Sequence, residues 1–236
     1  MKVRSFPIPR SLLATLAQGR TILRSFWHLL CACRWVSLGL FVAVFGLGYL
    51  MMPYDRALLK GIHIWEGHQD TIVRIYATKF SFWGDYPTYN LPFAILVWFY
   101  GVWRKSPAWR RAAVIYLLGA TLAGIFDDCF RLTLGRPRPD AHYMDGFYGL
   151  PTALGSRFQS FPSGHSASVF GASVALLFVN RPLGLLTLAF AFAVAWSRME
   201  LNRHYPVDVA VGALVGLYFG VMIGFASRLR RTRSRP

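Results

Sequence analysis

The sequence predicts an all-α, polytopic membrane protein with six transmembrane helices, both termini in the cytoplasm, and further helices at the membrane interface. Apolar side chains make up 55% of the 236 residues and charged ones only 15%, which is too hydrophobic for a soluble domain carrying a net charge of +16. Lys and Arg residues punctuate long uncharged stretches and form no patch on a soluble fold. The basic balance therefore indicates a membrane surface, and no nucleic-acid partner is predicted.

Six apolar runs are close to the length that a helix needs to cross a bilayer core of about 30 Å. They are residues 35–52, 86–103, 112–130, 158–180, 182–197 and 207–227. Short cytoplasmic loops retain Lys and Arg, and with the N-terminus inside most of the 26 basic residues fall on the cytoplasmic side. All ten acidic residues then lie on or near the outer side.

Two other segments, residues 12–30 and 58–80, mix apolar and charged side chains at roughly helical spacing. This pattern predicts helices that lie along the membrane surface. Neither a repeat nor a low-complexity linker interrupts the chain, so residues 1–236 are predicted to form one domain. Within it, residues 1–34 are a basic interfacial segment and residues 112–227 are a helical core that carries the motifs described next.

Ionisable residues at membrane depth are costly and indicate function, and here they gather in three groups. In chain order these are Arg131 with Arg138 and Pro139, then Pro162, Ser163, Gly164 and His165, then Arg198, His204 and Asp208. The first group follows the third predicted span, the second opens the fourth, and the last links the fifth and sixth. The predicted topology therefore brings all three groups to the outer membrane face.

Five of these residues suit an oxyanion. The guanidinium groups of Arg131, Arg138 and Arg198 match the oxygens of a phosphate, and Ser163 and Gly164 stand at a helix start, where backbone N–H groups and the helix dipole favour a negative charge. We therefore predict a phosphate cradle.

Three residues suit proton and phosphoryl transfer. His204 and Asp208 are four residues apart at a predicted helix start, so the carboxylate can hold one tautomer of the imidazole and leave it as a nucleophile. His165 stands at the mouth of the cradle, where it can protonate a leaving oxygen as a general acid.

The strings Arg131-x6-Arg138-Pro139, Pro162-Ser163-Gly164-His165 and Ser197-Arg198-x5-His204-x3-Asp208 resemble the three-part signature of the type 2 phosphatidic acid phosphatase (PAP2) family. That family is related to vanadium-dependent haloperoxidases. The resemblance implies a six-span helical fold and metal-free hydrolysis of lipid phosphates through a phosphohistidine, without a cofactor.

By the same resemblance, His204 is the nucleophile, Asp208 its orienting partner and His165 the general acid. The phosphate ligands are then Arg131, Arg138, Arg198, Ser163 and the Gly164 amide. One departure is visible, because the family usually has lysine where this chain has Arg131. The positive charge is kept while the geometry of the donors changes.

Other ionisable residues have simpler interpretations. Arg136 and Arg203 fall outside the motif positions and are expected to touch lipid headgroups. Asp127 and Asp128 point about 100° apart on a helix and have no further carboxylates to complete a metal site, so pairing with a nearby arginine is predicted. His28, His63 and His68 are expected at the surface. The aromatic-rich stretch 143–161 either lines a lipid entrance or marks the membrane interface.

The predicted substrate is a phosphorylated membrane lipid, cleaved at the outer face of a bacterial-type inner membrane. Undecaprenyl pyrophosphate, phosphatidate, phosphatidylglycerol phosphate and the phosphates of lipid A all fit, because the motifs recognise phosphate and not lipid. A lipid-to-lipid phosphotransferase and a non-catalytic transporter or scaffold are the alternatives. A haloperoxidase-like role ranks last, because a site in a bilayer suits lipid headgroups better than soluble halide. The oligomeric state stays open.

Overall fold

The protein is all-helical across residues 9–62 and 72–233, the two ranges that the computed structural model describes. The nine α-helices in these ranges are α1 Arg10–Ala32, α2 Arg34–Met51, α3 Asp55–Ile62, α4 Ile72–Trp83, α5 Leu91–Trp103, α6 Pro107–Leu134, α7 Gly164–Leu177, α8 Arg181–Glu200 and α9 Pro206–Arg233. A π-helical turn, Tyr86–Asn90, precedes α5, and three short 3-10 turns lie between α6 and α7.

Helix α7 is the centre of the bundle, because it packs against α6, α8 and α9 and buries most of its residues. Small residues permit this close approach. A Cβ added at Gly119 of α6 would lie 2.4 Å from the Gly171 carbonyl oxygen of α7, and one at Gly216 of α9 would lie 2.5 Å from that of Ala167. The backbones of α6 and α9 therefore touch α7 directly, as small residues allow in membrane helices.

The N-terminal half packs around this core. Helix α1, in the predicted interfacial segment 12–30, buries Ile22 and Phe26 in a cluster shared with α6, α7 and α9. Helix α2 and the 3-10 turn that follows it bring Phe45 and Met52 against Phe161 in the loop before α7. Helix α4 packs on α8, and α5 packs on α6. Part of the predicted interfacial segment 58–80, including His63 and His68, lies outside the described residues.

Within residues 9–62 and 72–233, four helical segments are long and apolar enough to cross a membrane: Arg34–Ile62, Pro107–Ala141, Arg181–Glu200 and Pro206–Leu229. The second and fourth predicted spans correspond to shorter helices, α5 with 13 residues and α7 with 14. Helix α7 starts at Gly164 and not at residue 158, because the preceding loop runs along α9, where the Ser163 N–H donates to the Asp208 carbonyl oxygen. Surrounded by protein, α7 does not need the length that lipid contact requires.

The helix directions place every motif at one end of the bundle. The end of α6, the start of α7, the end of α8 and the start of α9 meet there, together with the start of α3 and the end of α4. The opposite end carries the basic loop between α5 and α6 and the start of α8.

Candidate active site

His204, the predicted nucleophile, lies in the short loop between α8 and α9 and is 1% exposed. Its Nδ1 atom is 2.7 Å from the carbonyl oxygen of Ser160. A carbonyl can only accept a hydrogen bond, so Nδ1 carries the proton and Nε2 keeps its lone pair. The structure thus fixes the tautomer that a nucleophilic histidine requires.

Burial and surrounding charge keep the His204 ring neutral. Desolvation is the largest cause of a pKa that lies well below the ordinary value, and the positive charges of Arg198 and Arg138 add to it. His165 also lies close enough to lower the pKa of His204. The loop residue therefore has its lone pair available at neutral pH.

Asp208, the predicted partner of His204, reaches the histidine indirectly. Its Oδ2 atom lies 3.9 Å from His204 Nδ1, beyond hydrogen-bond distance. The same oxygen accepts from the Ser160 hydroxyl at 2.6 Å and from the Tyr205 N–H at 2.8 Å. Ser160 joins the pair, since its hydroxyl donates to the carboxylate while its carbonyl accepts from the imidazole.

Ser160 was not predicted from the sequence. Its contribution to His204 comes from the main chain, which every residue type possesses, so the side chain gave no signal. The available clue was position, because Ser160 lies two residues before Pro162, the first residue of the Pro162-Ser163-Gly164-His165 string.

Arg136 corrects a second interpretation. It was expected at lipid headgroups, but its side chain has no exposed surface and pairs with Asp55 and Asp145 at 2.9 Å and with Asp208 at 2.5 Å. Its guanidinium also lies over the Tyr205 ring, 4.3 Å from the centroid. A buried charge must be paired, and three carboxylates surround this one, so Arg136 supports Asp208 and does not reach solvent.

The three arginines predicted to bind phosphate share one feature. Arg131, Arg138 and Arg198 each have a buried Nε–H without a hydrogen-bond partner in the ranges 9–62 and 72–233. Other nitrogens are held in place, because Arg131 Nη2 lies 2.5 Å from Asp128 Oδ1 and Arg198 Nη1 donates to Ser81 Oγ at 2.5 Å. Buried donors are normally satisfied, so three unused ones near His204 and His165 fit an anion.

Ser163 and Gly164 lie between these groups at the start of α7. A Cβ added at Gly164 would lie 3.8 Å from Arg131 Cζ and 3.2 Å from Asp127 Oδ2, so the helix start faces the first motif. The Ser163 N–H is occupied, because it donates to the Asp208 carbonyl oxygen at 3.0 Å. Gly212 of α9 permits that contact, since a Cβ there would lie 2.5 Å from the Ser163 oxygen.

His165, the predicted general acid, borders a cavity of about 300 Å³ between α6, α7 and the turn before α5. Its Nε2 atom is 3.6 Å from Asp85 Oδ1. Arg131 and Gly164 also line this cavity. The predicted acid and two predicted phosphate ligands therefore share one opening.

The other ionisable residues considered in the sequence follow the predictions only in part. Asp128 pairs with Arg131 as expected, whereas Asp127 is fully buried and neither carboxylate oxygen has a hydrogen-bond partner within the described ranges. Arg203 is exposed and pairs with Asp140 at 3.1 Å, and His28 is exposed. Among the described residues, no group of three His, Cys, Asp or Glu side chains is placed to hold a metal.

Within the aromatic-rich stretch 143–161, Tyr143, Tyr148 and Phe158 contact one another. Tyr143 and Tyr148 are exposed on their other sides. A lipid entrance and a membrane interface both remain compatible with this arrangement.

Comparison with known proteins gives matches throughout the helical core. Residues 112–232 match the family model described as PAP2 superfamily. A lipid A 1-phosphatase of Rhizobium johnstonii is 34% identical over 103 residues, 42% of this chain and 41% of that protein. The match thus spans less than half of that relative. Undecaprenyl-diphosphatase BcrC of Bacillus subtilis is 28% identical over 178 residues, 74% of this chain and 81% of that protein.

The architecture also resembles a solved structure. The crystal structure of Aquifex aeolicus LpxE superposes with a TM-score of 0.54 at 23% identity, covering 72% of this chain and 93% of that one. At this identity the likeness concerns the fold alone.

Proposed function

Because the chain belongs to the PAP2 superfamily, we propose that it is an integral-membrane lipid phosphatase that hydrolyses a phosphomonoester or a diphosphate of a lipid. One observation carries the proposal: His204 keeps a lone pair on Nε2, and the nearby Arg138 and Arg198, like Arg131 beside His165, each have an unused buried donor. The names of the relatives, lipid A phosphatase and undecaprenyl-diphosphatase, support the same class of reaction.

The proposed reaction has two steps. His204 Nε2 attacks phosphorus, the bond from phosphorus to the leaving oxygen breaks, and protonated His165 gives its proton to that oxygen. Water then attacks the phosphohistidine, with neutral His165 accepting its proton, so that phosphate leaves and His204 is regenerated. Asp208 stabilises the charge that develops on His204, acting through Ser160 and held by Arg136.

Arg131, Arg138 and Arg198 hold the oxygens of the transferred phosphoryl group in this proposal, with the Gly164 amide and Ser163 at the start of α7. The charge of the group grows and redistributes in the transition state, and fixed donors in a site that excludes water stabilise it. No metal or cofactor is needed for either step.

We place the site at the outer face of the inner membrane, with six spans and both termini in the cytoplasm. The spans are α2, α5 with its π-helical turn, α6, α7, α8 and α9. The basic loop at Arg104 and Lys105 and the start of α8 lie at the end opposite the site, which supports this orientation. The chain acts as one domain, since Asp55 and Ser81 of the N-terminal half contact Arg136 and Arg198.

The test is release of inorganic phosphate by the purified protein in detergent with EDTA, over a panel of phosphorylated lipids. We expect release that survives EDTA, is lost in His204→Ala and is retained in His28→Ala, an exposed histidine outside the site. Activity that EDTA abolishes, or that His204→Ala retains, would contradict the proposal. Transfer of phosphate to a second lipid without free phosphate would favour the phosphotransferase alternative.

A further inference from the structure

The cavity beside His165 carries polar groups that phosphate binding by the arginines does not explain. Five polar side chains line it besides His165 and Arg131: Asp85, Tyr86, Thr121, Asp128 and Ser168. In the proposed reaction His165 protonates the leaving oxygen, so the alcohol part of the substrate is expected to extend from the phosphate into this cavity, which Arg131 and Gly164 also border. Its hydrogen-bonding character therefore bears on which lipids the enzyme accepts.

Each hydroxyl group on the cavity wall already donates its hydrogen to another group of the protein. Thr121 donates its only hydroxyl hydrogen to the Leu117 carbonyl at 2.7 Å. Tyr86 lies 2.7 Å from the Thr121 oxygen, so Tyr86 must be the donor of that pair. Ser168 donates to the His165 carbonyl at 3.1 Å. All three oxygens can therefore offer only lone pairs to a ligand.

The carboxylates of Asp85 and Asp128 add further hydrogen-bond acceptors to the cavity wall. Asp85 and Asp128 can only accept hydrogen bonds when ionised, and both are partly exposed, Asp85 by 46% of its side chain and Asp128 by 47%. Asp128 is paired with Arg131, whereas Asp85 faces His165 Nε2 at 3.6 Å. Apart from His165 and Arg131, the polar wall is thus made of acceptors.

This arrangement discriminates between leaving groups. A leaving oxygen at His165 Nε2 lies beside the Asp85 carboxylate, so a hydroxyl next to the phosphorylated carbon can donate to Asp85. The leaving group of a lipid diphosphate is a phosphate, which carries acceptors and negative charge into a wall of acceptors with two carboxylates. An alcohol that has no hydroxyl next to the phosphorylated carbon cannot donate a hydrogen bond to the Asp85 carboxylate.

We propose that this cavity is a leaving-group pocket that selects phosphomonoesters of lipids with a hydroxyl donor beside the phosphorylated carbon, and that Asp85 is the specificity-determining residue. The inference rests on the proposed phosphatase function and deepens it. It assigns a role to a residue of the N-terminal half, outside the part that matches the family model.

The first experiment compares kcat/KM of the full-length protein for three lipids in the same detergent. Phosphatidylglycerol phosphate has a free hydroxyl beside the phosphorylated carbon, phosphatidate has only esters, and undecaprenyl diphosphate has a phosphate as leaving group. We expect the first lipid to be favoured by about tenfold or more over the other two. A preference for undecaprenyl diphosphate or for phosphatidate would overturn the inference and leave the phosphatase proposal intact.

The second experiment repeats the comparison with Asp85→Asn, which replaces a charged acceptor by an amide that also donates. We expect kcat/KM for the diphosphate to rise relative to that for phosphatidylglycerol phosphate by about tenfold. Asp140→Asn, a partly exposed carboxylate that pairs with Arg203 and does not line the cavity, should leave the ratio unchanged. An unchanged ratio in Asp85→Asn would overturn the assignment, while phosphate release from none of the lipids by the wild type would overturn the phosphatase proposal itself.

Discussion

Individual residues around His204 form one connected chain of hydrogen bonds. The imidazole donates to the Ser160 carbonyl, the Ser160 hydroxyl donates to Asp208, and Arg136 donates to the same carboxylate. Sequence spacing could predict that His204 and Asp208 approach each other on a helix start. It could not predict that a main-chain carbonyl would take the position next to Nδ1.

Replacing Ser160 tests whether Asp208 acts through it. Ser160→Ala keeps the carbonyl and removes the hydroxyl, so we expect kcat to fall about tenfold with little change in KM, because a bond to a charged group is lost. Adding Asp208→Asn to that variant should cost much less than Asp208→Asn alone. The control is Ser173→Ala, because Ser173 is a buried serine of α7 whose hydroxyl donates only to the Val169 carbonyl oxygen of the same helix. Fully additive losses in the double variant would contradict the connection.

The environment of His204 also predicts a pH dependence of stability. Burial keeps the pKa of His204 well below its unfolded value of about 6.5, so below that pH the unfolded chain binds more protons. The free energy of unfolding should therefore decrease as pH falls from 7.5 towards 5. Thermal unfolding in detergent should show a smaller decrease for His204→Gln than for the wild type. Equal pH dependence in both proteins would show that His204 is not held neutral.

At the scale of elements, helices α6, α7 and α9 show how much of a helix the length of an apolar run can predict. The apolar runs predicted a helix at each place, since length and hydropathy report directly on burial in lipid. The start of α7 was placed too early, because residues 158–163 carry no charge and therefore joined the apolar run, yet they run along α9 and place Ser160 and Ser163. Only the tertiary contact distinguishes such a loop from a span.

Close contact between α9 and α7 predicts a steric effect at Gly216. A Cβ there would lie 2.5 Å from the Ala167 oxygen, so Gly216→Ala must push the helices apart at a cost of about 1–3 kcal/mol. The thermal midpoint in detergent should fall accordingly. Gly46→Ala in α2, where nothing lies within 4 Å of the added atom, should leave the midpoint unchanged or raise it. Equal midpoints for both variants would contradict the packing.

Across the whole molecule, the residues of the candidate site that sequence motifs could indicate all lie in the C-terminal half. Its motifs have fixed spacing, whereas Asp55, Ser81 and Asp85 of the N-terminal half meet Arg136, Arg198 and His165 only through folding. Each pair is separated by some eighty to a hundred and twenty residues, and no local pattern marks such contacts. The roles of these polar residues of the N-terminal half can therefore be inferred only from the folded structure.

The proposed orientation of the whole molecule can be tested with single cysteines in a chain from which Cys31, Cys33 and Cys129 have been removed. Met144→Cys lies in the exposed loop at the site end, and Lys105→Cys lies in the basic loop at the other end. In intact cells a membrane-impermeant thiol reagent should label the first, and the second only after permeabilisation. The reverse pattern would place the site in the cytoplasm.

The covalent intermediate is the central claim, and trapping it is the most direct measurement. Purified protein would be mixed with a lipid labelled in its phosphate, quenched in alkali, where phosphohistidine survives, and digested for identification of the labelled peptide. We predict acid-labile phosphate on His204 in the wild type and in Asp140→Asn, with none in His204→Ala. Phosphate release by the wild type without label on His204, or equal label in His204→Ala, would contradict a phosphohistidine mechanism at this residue.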